Sequence, residues 1–259
     1  MKGSMLCVAA LIALLGGPAL AADLPRKALP PEPPPAPTWA GFYVGVHGGW
    51  GQADVEHRFV DVGFFNLNPG DRVSHDLDGA LVGGHIGFNW QLSSPWLLGF
   101  EIAGTWSDVR GDVASPFFPL LDRFHTDIDW LVTFTPRLGV TAGNWLLYVK
   151  GGLAVADITA RISTLAFVPP LTIEESETRS GWTVGGGFEV MTGATWPFGG
   201  GGSWVFGVEG NYYDFGDLTV LRTLDPPFTN HHVDVTMWSV LGRLSWKFGA
   251  APAPVVARY

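Results

Sequence analysis

The chain has 259 residues, among them 35 Gly, 20 Pro, 12 Trp and one Cys, and only 15% of its residues are charged, against about 25% in an ordinary soluble domain. This excludes a coiled coil or a charged disordered chain. A formal net charge of −9 with 15 Lys+Arg excludes nucleic acid as a partner, because binding phosphates needs a basic surface.

In chain order, residues 1–21 have the pattern of a secretory leader. Lys2 is followed by an apolar run of 11 residues (5–15), a Gly-Gly-Pro break and Ala19-Leu20-Ala21 as the cleavage site. Eleven apolar residues are too few to span a bilayer as a helix, which needs about 20. Cys7 lies within this leader, so the mature chain is expected to have neither disulfides nor thiolate chemistry. Residues 22–38 are Pro-rich, which predicts an extended periplasmic arm. Residues 39–248 form the body, and 249–259 a short tail.

From Trp39 to Phe248 apolar residues alternate with a period of two. Gly, Asn, Pro and Ser punctuate this into eight segments near 40–54, 78–92, 96–107, 128–142, 145–156, 181–191, 204–215 and 234–248. In the third, Trp96, Leu98, Phe100, Ile102 and Trp106 share one face and Leu97, Gly99, Glu101, Ala103 and Thr105 the other. In the last, Trp238, Val240, Leu244, Trp246 and Phe248 oppose Ser239, Leu241, Arg243, Ser245 and Lys247. A soluble sandwich buries such an apolar face, whereas a membrane barrel turns it to lipid.

Four features favour the barrel. Short links (93–95, 143–144 and the Gly-rich 192–203) alternate with long stretches expected as connections (56–76, 107–127, 157–180 and 214–234), as in outer-membrane barrels. Tryptophans sit at strand ends on the apolar face, predicting an aromatic girdle of Trp50, Trp90, Trp96, Trp106, Trp130, Trp145, Trp182, Trp204, Trp238 and Trp246. The opposite face carries Gly at strand centres (Gly45, Gly49, Gly83, Gly87, Gly185, Gly187), making room inside a narrow barrel. The four long stretches hold 16 Asp+Glu against 7 Lys+Arg. The expected fold is therefore all-β: an eight-stranded antiparallel up-and-down transmembrane β-barrel.

Its enclosed face collects Glu101, Arg137, Lys150, Glu189, Glu209 and Arg243, with Asn89, Asn211, His85, Tyr43, Tyr148 and Tyr213 in support. Three acids and three bases in a barrel this narrow must pair, because desolvating an unpaired charge costs several kcal/mol. Eight strands leave an interior that side chains can fill. The network is either a structural plug or a gate that opens when pairs exchange.

Ser74-His75, His125 and His231-His232 lie in or beside the long stretches without the spacing of a nucleophile and its base, so no enzyme is expected. His231-His232 with Asp225 and Asp234 have metal-ligand chemistry, but adjacent loop histidines fit solvation better; no metal or cofactor is expected. The acidic stretches either hold divalent cations against lipopolysaccharide phosphates or keep the loops soluble and apart.

The blocks WAGFYVG (39–45), R-L-G at Arg137–Gly139 followed by WLLYVKGGLA (145–154), GWTVGGGFE (181–189), EGNYYDFG (209–216) and VLGRLSWKF (240–248) span most of the chain. Together they resemble the alphaproteobacterial outer-membrane β-barrel proteins known as the small "porin family" or surface antigens. The resemblance implies an outer-membrane location with roles in envelope integrity, surface exposure and, in some members, permeability. It also implies assembly through a C-terminal aromatic, which matches Phe248, although eleven residues follow it. The expected partners are outer-membrane lipid, lipopolysaccharide and the barrel assembly machinery, with the protein a monomer. A structural and surface-exposed envelope role leads; a narrow channel for small solutes and a loop-borne receptor or adhesin are the alternatives.

Overall fold

The computed structural model describes residues 38–59, 70, 72–114, 119–165, 169–192, 201–220 and 231–249. Eight strands, β1 (Gly41–Phe59), β2 (Arg72–Gln91), β3 (Trp96–Ala114), β4 (Asp122–Ala142), β5 (Trp145–Thr164), β6 (Leu171–Met191), β7 (Gly202–Val220) and β8 (His231–Phe248), follow one another around a closed barrel. Every neighbouring pair is antiparallel, and β8 closes on β1 with Tyr43 opposite Lys247 and Phe59 opposite His231. This is the up-and-down transmembrane barrel that the period-two alternation predicts. The expected leader (1–21), the arm (22–38) apart from Thr38, the tail beyond Gly249, residues 193–200 and Asp225 lie outside the described residues.

The lower part of each strand carries the lipid-facing pattern. Outward residues are large and apolar, with Val82 62% exposed and Trp106 70% exposed. Tryptophans mark two levels. Trp90, Trp96, Trp145, Trp204 and Trp246 lie near the short-turn end, where Trp204 and Trp246 stack edge to face with centroids 5.1 Å apart. Trp50, Trp106, Trp130, Trp182 and Trp238 lie near the other end, where Trp106 faces Trp130 across β3–β4 and Trp182 packs on Tyr212 at 5.6 Å. From Trp96 to Trp106 the strand climbs about 25 Å, at about 3.3 Å per residue and a 40° tilt, which matches the apolar band of an outer membrane.

The strands run well past the segments expected from sequence: of the stretches expected as connections, 107–127 and 157–180 are mostly strand, and the described residues of 56–76 and 214–234 are strand apart from Gly70. Beyond Trp106, β3 continues for another eight residues, about 20 Å further. The dyad explains the correction because its phase inverts at the upper tryptophan level. There Asp54, Asp76 and Asp78 point outward to water, while Ala53, Val55, Leu77, Val235 and Met237 point inward at 0–1% exposure. Below that level the barrel is apolar outside, and above it apolar inside, like a soluble barrel. Charge density alone cannot distinguish such a strand from a loop.

Three register shifts, Trp106/Val109 on β3–β4, Ile128/Trp130 on β4–β5 and Asp214/Asp217 on β7–β8, sit at this inversion. Gly216 supplies the left-handed φ of +64° for the last of them. Above it β6 pairs with β7 no further than Trp182–Asp214, and β2 pairs with β3 no further than Asp78–Arg110. Among the described residues the upper barrel therefore consists of two four-stranded leaves, β3–β6 and β7–β8–β1–β2.

Inward glycines make room for specific side chains. A Cβ on Gly87 would overlap the Tyr43 ring, one on Gly185 the Asn211 side chain, and one on Gly83 would meet a β3 carbonyl and His47. Outward Gly104 has nothing within 4 Å of its would-be Cβ.

Candidate functional site

Six consecutive strands each contribute one charged side chain to the mid-barrel interior: Glu101 from β3, Arg137 from β4, Lys150 from β5, Glu189 from β6, Glu209 from β7 and Arg243 from β8. All are at most 6% exposed. Period-two geometry places them inside, and the antiparallel register brings them to one level, since Arg137 lies opposite Lys150 and Gly187 opposite Glu209.

Arg243 links the acids. Its Nη2 lies 2.5 Å from Glu101 Oε2, its Nη1 2.6 Å from Glu209 Oε2, and its Nε 3.4 Å from Glu189 Oε1. Lys150 Nζ bridges Glu101 and Glu209 at 3.1 and 2.6 Å. Arg137 Nη1 reaches Glu189 at 3.4 Å and Glu101 at 3.8 Å. Neutral donors complete the set: Tyr43 donates to Glu101 (2.8 Å), Tyr148 to Glu209 (2.6 Å) and Asn211 to Glu209 (3.0 Å). Arg137 Nε donates to Asn89 Oδ1 at 2.9 Å, and its guanidinium lies 4.4 and 5.1 Å from the Tyr43 and Tyr148 ring centres. Every charge thus has opposite charges and directional hydrogen bonds, which desolvated ions require.

The two remaining strands supply histidines. His47 Nδ1 and His85 Nδ1 approach to 3.2 Å, with stacked rings. Their Nε2 atoms bond Thr105 (2.9 Å) and Ser245 (2.7 Å). His85 is visible by strand parity, but its pairing with His47 depends on the β1–β2 register.

Apolar layers close the charged layer from both sides. Above it, Leu81, Leu131, Ile158, Tyr213, Phe215, Met237, Leu241 and their neighbours form one cluster. Tyr213, expected among the polar supports, packs parallel to Phe215 in this layer. Below it, Trp39, Leu97, Leu146, Tyr148, Met191 and Val205 form a floor. Trp39 is 1% exposed; its indole N–H donates to the Gly143 carbonyl across the mouth at 3.1 Å, and its own carbonyl accepts from Asn89 at 3.2 Å. Strand periodicity could not identify this residue, because it precedes β1 and folds under the barrel.

The candidate catalytic groups do not assemble. Ser74 and His75 are adjacent in a strand and face opposite sides, Ser74 exposed and His75 buried. His125 pairs with Asp127 at 3.0 Å on the outer surface. His231 and His232 begin β8 opposite Phe59 and Arg58 rather than lying in a connection. Among the described residues no group of three or more His, Cys, Asp or Glu is placed to hold a metal ion. Outside the membrane level, burial pushes the His75 imidazole below the usual histidine range. Local desolvation, with the hydrogen bond and charge of its cross-strand neighbour Asp76, raises the Asp54 carboxyl. Arg161, 3.0 Å away, lowers that of Glu174.

The family model for the outer membrane protein beta-barrel domain matches residues 7–248, ending on the last residue of β8. The chain belongs to this family. Its place is the cell outer membrane. Relatives in the family include the 31 kDa outer-membrane immunogenic protein of Brucella melitensis, 31% identical over 198 residues that cover 73% of this chain and 81% of that protein. Another is the 22 kDa outer membrane protein of Rhizobium leguminosarum, 28% identical over 159 residues covering 61% of this chain and 59% of that protein. Among solved structures, the outer membrane protein OprG of Pseudomonas aeruginosa aligns over 82% of this chain and 97% of its own, at 13% identity and a TM-score of 0.40.

Proposed function

We propose that this outer-membrane barrel is an architectural envelope protein whose interior is a closed, salt-bridged plug, and whose upper leaves and connections face the cell exterior. The observation that carries this reading is the layering inside the barrel: six mutually paired charges between two apolar layers, with Trp39 under the lower one. An open channel would need a water-filled path, and eight strands leave only enough space for side chains. The name of the Brucella relative, an immunogenic outer-membrane protein, supports surface presentation. The Trp rings anchor the barrel at the two interfaces, and Phe248, the outward-facing end of β8, serves as the assembly signal. The barrel acts as a monomer among outer-membrane lipid and lipopolysaccharide, without catalysis. Residues 1–21 act as the secretory leader and 22–38 as a periplasmic arm.

The experiment is a chromosomal deletion scored for sensitivity to detergent and to antibiotics too large for small pores. Loss of the protein should raise both sensitivities, and the wild-type gene should restore both. A deletion with intact barrier function but impaired uptake of one small solute would instead favour the channel.

A further inference from the structure

Beyond the closed plug, and resting on that reading, we propose that the floor of the barrel holds a single chloride-sized monovalent anion between Lys247 and Arg137, above Trp39. The buried charges do not balance. Among the described residues, the cations at the membrane level of the interior are Arg137, Lys150, Arg243 and Lys247, and the carboxylates are Glu101, Glu189 and Glu209. The first three cations are ion-paired with those three acids. Lys247 is the surplus cation. It is 5% exposed, and among the described residues no carboxylate lies within ion-pair distance of it.

Among the described residues its ammonium donates one hydrogen bond, to the Phe248 carbonyl at 3.3 Å, which leaves two of its three protons to be satisfied elsewhere. A desolvated ammonium without a counterion is strongly disfavoured. Beside it lies a pocket with room for about one water-sized particle, whose polar and aromatic lining is Trp39, Tyr43, Asn89, Arg137, Glu189, Lys247 and Ser245, the last bonded to His85.

The polar groups of this pocket select the sign of the ligand. Glu189, its only acid, is shared by Arg137 and Arg243 at 3.4 Å each. Asn89 has its amide N–H on the Trp39 carbonyl and its oxygen on Arg137, and the Tyr43 hydroxyl is committed to Glu101. What faces the space is therefore one surplus positive charge beside a second cation, which an anion would balance and a metal cation would aggravate. The space is that of about one water, which suits a monatomic anion better than phosphate or an organic acid. Trp39 stands between the pocket and the short-turn mouth, so its side chain guards the site on that side.

The test is the ³⁵Cl NMR line width of sodium chloride with the folded protein in detergent, against a micelle blank. Folding of each sample is checked by the gel shift between unheated and heated protein. The expected result is excess broadening with wild type, retained in Lys247→Arg, lost in Lys247→Met, and displaced by bromide but not by gluconate. Trp39→Ala should extend the competition to acetate by opening the floor. No excess broadening with folded wild type, or equal broadening in folded Lys247→Met, overturns the site. Bilayer conductance separates this from the plug. Conducting protein that keeps Lys247-dependent broadening refutes the closed interior alone, and silent protein without broadening refutes the anion site alone.

Discussion

Replacing Arg243 by Met would remove the cation that approaches all three buried acids while keeping most of its apolar volume. Glu101 would retain Lys150 at 3.1 Å and Arg137 at 3.8 Å, and Glu209 would retain Lys150 at 2.6 Å. The remaining partners cannot compensate, because three carboxylates would then share two of these cations in a desolvated layer. Removing one partner from a buried ion pair costs about 3–5 kcal/mol, most of it the penalty on the charge left behind. At a urea slope of about 2 kcal/mol/M, the unfolding midpoint should fall by about 2 M. The assay is the heat-modifiable gel shift after equilibration of vesicle-embedded protein across a urea series. Arg161→Gln, which breaks an exposed pair with Glu174, should leave the midpoint in place, as isolated surface pairs do. Adding Glu209→Gln to Arg243→Met should recover part of the loss, since neutralising the stranded acid couples the two sites. A midpoint for Arg243→Met within about 0.3 M of wild type, corresponding to less than about 1 kcal/mol, would refute the idea that the charged layer holds the barrel together.

Further outcomes follow from the same layering. Ile102→Lys, on the lipid face between the two Trp levels, should cost about 2–4 kcal/mol in the same assay, whereas Asp112→Lys, above the upper level, should cost almost nothing; equal costs would misplace the membrane boundary. Gly83→Ala should slow or block refolding into vesicles because its methyl would meet the Gly104 carbonyl and His47, while Gly104→Ala, with open space around the new carbon, should fold like wild type. The Asp54 carboxyl is raised above the ordinary aspartate value, so the native barrel binds this proton more tightly than the unfolded chain, and stability falls as pH rises through that window. Asp54→Asn should therefore be more stable than wild type at pH 7 and indistinguishable from it at pH 3, measured by thermal gel shift at the two pH values; an equal difference at both would exclude titration of Asp54 as the cause.

The lipid-spanning half of the barrel was legible because one physical rule governs it. Leu98, Phe100 and Ile102 face lipid while Gly99, Glu101 and Ala103 face inward, so the dyad, the strand number and the Trp levels can all be read from alternation. The upper half obeys the opposite rule. Val55 between Asp54 and Glu56, and Leu77 between Asp76 and Asp78, still alternate, but the charges suggest a loop unless the inverted phase is followed past Trp50. The six interior charges sit on the inward parity of their strands. Their mutual distances depend on register, which no single strand encodes. Lys247 shares the inward parity of Arg243, yet that no acid among the described residues pairs with it emerges only when the strands are closed into a barrel. Trp39 belongs to no strand, and its position under the floor comes from tertiary contacts with Gly143 and Asn89. The His47–His85 contact likewise needs β1 and β2 aligned.

The central claim, a closed interior, is tested most directly by single-channel recording of refolded protein in a planar bilayer, with folding verified by gel shift beforehand. A silent membrane containing folded wild-type protein is the predicted result. Discrete, reproducible conductance steps that change when Glu101→Gln or Lys150→Met is introduced would contradict it and make the charged layer a gate.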